Sequence, residues 1–189
     1  MKTVAVLALQ GAFIEHERML EQLGCETFEV RKLADWQRPK DALVIPGGES
    51  TTMLRLLHAE GLFTPMREAI VNGLPVMGTC AGMIVLAKDC LTPTLERLAT
   101  IDIEVRRNAY GRQLGSFNAR GEIKGVGSDV PMTFIRAPYI SNVYGEAETL
   151  ATIDGNIVAA RQGKQMVCAF HPELTDDTRW HEAFVNLLM

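Results

Sequence analysis

Through residue 90 the chain alternates short apolar runs with amphipathic segments, and no other feature restricts the fold as much. "TVAVLAL" (3–9) is a continuous apolar run with β-branched members, the pattern of a parallel strand covered on both faces. Gln10-Gly11 interrupts it. The segment that follows sets His16, Met19, Leu20 and Leu23 on one helical face and ends where Gly24 can cap it. "CETFEV" (25–30) and "DALVIP" (41–46) read as the next strands. "STTMLRLLHAEG" (50–61) is a helix opened by a Ser/Thr cap, and "TPMREAIVNG" (64–73) is another with Pro65 in its first turn. "LPVMGT" (74–79) is a strand and "AGMIVLAKD" (81–89) the helix after it. Such alternation builds parallel strands joined by helical crossovers. The expected fold class is α/β, a flavodoxin-like three-layer sandwich with helices on both faces of a mostly parallel central sheet.

The second half has a different grain. "IDIEVRR", "SFNARGEI", "MTFIRAP", "NIVAARQ" and "QMVCAF" are short strands separated by Gly, Pro and Asn, which predicts an antiparallel or mixed section. A last helix from about Asp176 carries Trp180, Phe184, Leu187 and Leu188 as a core stripe. A chain of 189 residues is expected to form one domain, 1–189. The net charge of −4 and the lack of a Lys/Arg cluster leave no nucleic-acid footprint. Lys2 and the apolar run after it mimic a signal peptide, but the run is short, lacks a cleavage site and meets Glu15, His16, Glu17 and Arg18 at once. No window approaches the roughly 18 apolar residues of a membrane span, so no membrane partner is expected. Four cysteines (25, 80, 90 and 168) without CxxC pairs suit neither a disulfide scaffold nor a zinc site, and fit a reducing cytoplasm.

Ligands of open α/β sheets bind beyond the carboxyl ends of the strands. Three motifs fall there: "LQGA" (9–12), "PGGEST" (46–51) and "GTCAG" (78–82). Cys80 stands between Gly78 and Gly82 where a strand hands over to a helix, which suits a nucleophile on a tight turn, its thiol activated by the helix start. Taken alone, G-x-C-x-G is also compatible with a small buried structural cysteine. Cys25, Cys90 and Cys168 lack the setting and read as structural. A cysteine nucleophile needs a base and an orienting partner, and "CAFHPELT" (168–175) offers His171 and Glu173. Pro172 biases His171 to an extended backbone, placing Glu173 on the same side and both past the end of a strand. The other histidines, His16, His58 and His181, stand among charged residues and read as surface groups. The Gly47-Gly48 peptide can turn an N–H inward as an oxyanion donor, and the Ala81 N–H, directly after the nucleophile, is the second. "PGGEST" alone would equally be a turn and a helix cap. "VRRNAYGRQ" (105–113) presents Arg106, Arg107 and Arg112 either as a fork for a substrate carboxylate or as a solvated basic loop.

Together, "PGGEST", "GTCAG", "RNAYGRQ", "FIRAP" and "FHPEL" resemble the class I glutamine amidotransferases, and more narrowly the glutaminase subunits of pyridoxal phosphate synthase complexes. The similarity runs from "LALQGA" to "HPELT". It implies the class I amidotransferase fold and hydrolysis of L-glutamine to glutamate and ammonia. It also implies a partner synthase chain that accepts the ammonia to build pyridoxal 5'-phosphate. By motif it implies Cys80 as nucleophile, His171 and Glu173 completing a triad, and Gly47, Gly48 and Glu49 bordering the glutamine. Arg107 would contact the substrate, and Ile135 with Arg136 would close the pocket. No metal or organic cofactor is expected. One departure is "LERLATIDIEV", where a Leu-Gly turn is expected before the strand. A cysteine peptidase on a similar fold and a non-catalytic regulatory subunit are the competing readings.

Overall fold

The computed structural model describes residues 1–107 and 116–189; Arg112 and the rest of "RNAYGRQ" beyond Arg107 lie outside them. β1 (Thr3–Leu7), β2 (Glu26–Val30), β3 (Ala42–Ile45) and β4 (Val76–Thr79) form where the apolar runs predict strands. They pair in parallel in the order β2-β1-β3-β4, and β12 (Gln165–Cys168) joins β4, also in parallel. Every residue of β3 and β4 is buried, which is why these runs show no alternation.

α1 (Phe13–Gln22) carries the chain from β1 outward to β2, whereas α3 (Ser50–Ala59) and α4 (Phe63–Val71) carry it the opposite way, from β3 to β4. Right-handed crossovers running in opposite directions lie on opposite faces of a sheet, and this makes the three layers. The last helix, α6 (Arg179–Asn186), lies with α1, since His181 and His16 touch. Its Trp180 meets Phe170 edge-on at 5.5 Å, and Phe170 meets Phe134 at 5.8 Å. The stripe predicted for this helix is core.

Beyond β12 the sheet turns antiparallel through β11 (Asn156–Gln162), β9 (Tyr139–Val143) and β6 (Ile101–Arg106), with β10 (Glu148–Ile153) also on β11. The predicted helix 81–89 is corrected here. α5 ends at Leu86, and Ala87–Cys90 is strand β5, parallel to β6. Ala81–Leu86 is buried on all sides, so neither a stripe nor an alternation marks the switch. β9, β10 and a short helix α2 (Leu33–Trp36) are further additions.

β7 (Ser116–Ile123) and β8 (Gly127–Ile135) form a separate antiparallel pair. Phe117 stacks on Phe134 at 4.6 Å within the pair, and the pair docks on the main sheet through Lys124 N–H donating to Leu150 O at 2.8 Å and through Phe134 against Phe170 at 5.8 Å. The departure "LERLATIDIEV" also acquires a shape. Ala99 occupies the left-handed region at φ 55, where a glycine would sit without strain, held between Leu98 N–H···O Val85 at 2.9 Å and Thr100 N–H···O Leu86 at 2.8 Å.

Candidate active site

Cys80 is the junction between β4 and α5, with φ 51 and ψ −106. A non-glycine residue at positive φ is strained and persists only where its surroundings fix it. Here the Cys80 N–H donates to Cys168 O at 2.8 Å, and Cys80 O accepts the first α5 bonds from Met83 and Ile84. The flanking glycines serve a different purpose from sharp bending. Neither has a positive φ, but a Cβ on Gly82 would lie 2.1 Å from Ile45 O, and one on Gly78 would lie 2.7 Å from Gly82 O. They let α5 rest directly on the ends of β3 and β4, and the strain falls on Cys80 itself.

His171 stands three residues past β12, its N–H donating to Thr133 O of β8 at 2.8 Å. Its Nδ1 lies 2.7 Å from Glu173 Oε1, and its side chain also hydrogen-bonds Cys80. Glu173 comes alongside through a single 3-10 turn, Pro172–Leu174, rather than through the extended backbone that the sequence suggests. Burial opposes a charge on His171, but the hydrogen bonds and opposite charge of Cys80 and Glu173 outweigh it and push its pKa up to about 10. The imidazole therefore carries its proton at neutral pH.

"PGGEST" follows β3. A Cβ on Gly47 would lie 2.4 Å from His171 Cε1, and one on Gly11 would lie 1.7 Å from Gly47 O. Only glycines allow the two loops and the imidazole to meet. Gly48 has φ 149, and the Glu49 N–H donates to Gln10 Oε1 at 2.8 Å, so the turn after β1 braces this peptide. The Glu49 carboxylate caps α3, accepting from Thr51 N at 3.0 Å and Thr52 N at 2.7 Å. Partial burial works against its charge, but these bonds prevail and bring its pKa down to about 2. Arg107 Nη2 reaches Thr51 Oγ1 at 3.4 Å and lies 3.8 Å from Glu49 Oε1.

A cleft of about 470 Å³ lies over these groups. Gly47, Gly48, Glu49, Cys80, Ala81, Arg107, Ile135, Arg136 and His171 all line it, and Glu173 stands behind His171. The sequence-derived set thus comes together from the ends of β3, β4, β6, β8 and β12. Arg106 is not in the lining; its Nη1 donates to Tyr139 Oη at 3.3 Å. Gly11, Ala12, Ser50, Ile84, Pro138 and Leu174 complete the wall.

The reading of His16 and His181 as surface groups is corrected. Both are fully buried, and His16 Nε2 lies 3.5 Å from Glu173 Oε2. The signal is the helical face shared with Met19 and Leu20, which outweighs the flanking charges. His58 is exposed and stacks on Phe63 at 4.1 Å. The four cysteines are free. Burial first, then the charges of Glu173 and Cys80, raise the Cys168 thiol well above its usual pKa, so it is inert beside Cys80. Among the described residues no three His, Cys, Asp or Glu side chains converge on a metal position, and no helix is long and apolar enough to cross a membrane.

A solved glutamine amidotransferase superposes with a TM-score of 0.91 at 43% identity, covering 98% of both chains. A second solved glutamine amidotransferase, from Thermotoga maritima, shares the fold at a TM-score of 0.66 and 18% identity, covering 99% of this chain and 84% of its own. The fold, with a cysteine elbow and a His-Glu pair at the sheet's carboxyl edge, is that of the class I glutamine amidotransferases. The sequence narrows this further. Residues 6–189 match the SNO glutamine amidotransferase family, and the chain belongs to that family. It is 53% identical to the pyridoxal 5'-phosphate synthase subunit PdxT of Streptococcus pneumoniae, over 97% of this chain and 96% of the relative.

Proposed function

We propose that this chain hydrolyses L-glutamine through Cys80, His171 and Glu173 and supplies the ammonia to a separate synthase subunit that makes pyridoxal 5'-phosphate. The observation that carries the chemistry is the hydrogen-bonded series Cys80–His171–Glu173 opening into the cleft. The subunit role follows from the similarity to PdxT. The Cys80 sulfur, its proton held by His171, attacks the side-chain amide carbon. The N–H groups of Gly48 and Ala81 stabilise the oxyanion, and His171 delivers the proton to the departing ammonia. A thioester remains. Water, deprotonated by His171, cleaves it and returns glutamate and the resting pair. Glu173 holds the imidazole in orientation throughout.

Opposite charges at the mouth favour a free amino acid over a peptide. Ionised Glu49 and the guanidinium of Arg107 stand within 3.8 Å of one another, complementary to an α-ammonium and an α-carboxylate. Arg107→Ala is expected to raise the glutamine KM more than it lowers kcat, because a positioning contact exists in ground and transition states alike. The loss of one charge-assisted bond corresponds to about 1.5–3 kcal/mol. Steady-state kinetics check this, and unchanged constants would return Arg107 to a solvated loop.

The ammonia acceptor also shapes regulation. Ammonia released into water at neutral pH is mostly protonated and no longer nucleophilic, so unpartnered turnover wastes glutamine. The pieces through which docking would act are the Gly47-Gly48 peptide and the Gln10-Gly11 turn that holds it through Gln10 Oε1 and the Glu49 N–H. A partner seated on that rim would favour the competent arrangement by contacting it alone. Glutamate release from the purified chain, measured with and without the synthase partner and beside a casein digestion control, tests the whole reading. Release should rise with the partner and casein should stay intact. Equal rates remove the gating, casein cleavage favours a peptidase, and no release under any condition removes the glutaminase.

A further inference from the structure

The contact with His171 engages only half of the Glu173 carboxylate. Oε1 faces His171 Nδ1 at 2.7 Å, whereas Oε2 is buried with no hydrogen-bond partner among the described residues. A buried carboxylate oxygen without a donor is costly. The group placed to supply one is His16 Nε2 on α1, 3.5 Å away, with both side chains wholly inaccessible to solvent. The same nitrogen lies 3.2 Å from Thr79 Oγ1, on the residue before Cys80. On the other side of the ring, Nδ1 lies 2.9 Å from His181 Nε2 on α6.

Two neutral imidazoles in contact must have one donor and one acceptor. If His16 Nδ1 held the hydrogen, its Nε2 lone pair would face the carboxylate. His181 would then carry its hydrogen on Nδ1, which is buried without a partner. The opposite assignment removes both conflicts. His181 Nε2–H donates to His16 Nδ1, His16 Nε2–H points between Thr79 and Glu173, and His181 Nδ1 is a bare lone pair. Every hydrogen then points toward Glu173. Burial keeps the pair neutral: His16 is held well below its usual pKa by burial and then by His181 and His171, and burial brings His181 down to about 3.

We infer that His16, oriented by His181, is a positioning residue for glutamine hydrolysis: its Nε2–H holds Glu173 Oε2 and thereby keeps Oε1 aimed at His171. The inference rests on the triad reading above. When His171 releases its proton to ammonia, Glu173 loses its adjacent counter-charge. A donor that shifts by tenths of an ångström from Thr79 to Oε2 steadies the carboxylate at that step.

The test is a double-mutant cycle, read as glutamate release by the chain saturated with its synthase partner. H16N keeps a polar group facing His181 but is too short to reach Glu173, whereas the H16Q amide reaches it. H16N is expected to lower kcat about 10–100-fold, the usual cost of losing an orienting partner, with KM within about twofold, while H16Q stays within about threefold of the parent. In an E173A background H16N should cost nothing further, because its target is gone. Equal losses in both backgrounds, or a parental kcat for H16N, would overturn the inference and leave the triad standing. A fully active E173A would remove the triad and the inference with it. If H16N does not fold, H181F, which removes the donor to Nδ1, is read through the same cycle with the same expectations.

Discussion

Cys80→Ser is expected to reduce glutamine hydrolysis at least about a thousandfold while leaving the thermal unfolding midpoint nearly unchanged. The substitution exchanges sulfur for oxygen and removes little volume. The strained backbone at φ 51 is fixed by main-chain bonds to Cys168, Met83 and Ile84, which serine leaves in place. What disappears is a soft nucleophile able to surrender its proton to His171. A glutamine analogue carrying a leaving group should label Cys80 in the parent and nothing in the variant. Cys25→Ser, remote from the cleft, should behave as the parent. Labelling at Cys168 with Cys80 spared would show that the elbow has been assigned to the wrong thiol.

Gly47→Ala should nearly silence the enzyme without removing any reacting group. Its backbone is not at positive φ, so alanine is tolerated there as a conformation. The difficulty is space: the new Cβ would stand 2.4 Å from His171 Cε1 and 3.1 Å from Nδ1. The imidazole must swing away from Cys80, from Glu173 or from both. Misplacement by about 1 Å costs on the order of a hundredfold in rate. The expected signature is a collapse of kcat with a folded protein whose Cys80 still reacts with simple thiol reagents. A variant with parental kcat would mean that the observed position of His171 is not the working one.

The parts of this site that are legible in the sequence owe that to local chemistry. Gly-Gly before a helix start, a cysteine between glycines and His-x-Glu each mark their place within a few residues, although the cap of α3 is Glu49 and not the expected Ser/Thr. The parallel half of the sheet is legible for the same reason, since β1 and β3 are apolar runs and β4 opens on one. The rest depends on partners far along the chain. "YISNV" and "ETLATI" become strands because Ile140 and Ala151 have β11 to lie against, and nothing within either segment announces it. Ala87 leaves α5 for β5 because β6 offers a ladder at Ile101. The acidic neighbours of His16 suggest a surface position, and its helical face, the better guide, leads inward. The two-residue step from His171 to Glu173 brings the pair together as expected but by a different path, a 3-10 turn in place of extended chain.

His171 hangs between two sheets: its chain emerges from β12, but its own N–H is tied to Thr133 on the separate β7–β8 pair. Warming that loosens this small pair from the main body would let the histidine drift while the large sheet stays whole. Heat tolerance of catalysis would then follow the Phe134–Phe170 contact and the Lys124–Leu150 bond rather than the melting of the protein as a whole. Reinforcing the ten-stranded sheet would lengthen the life of the fold and leave the temperature ceiling of the reaction where it was.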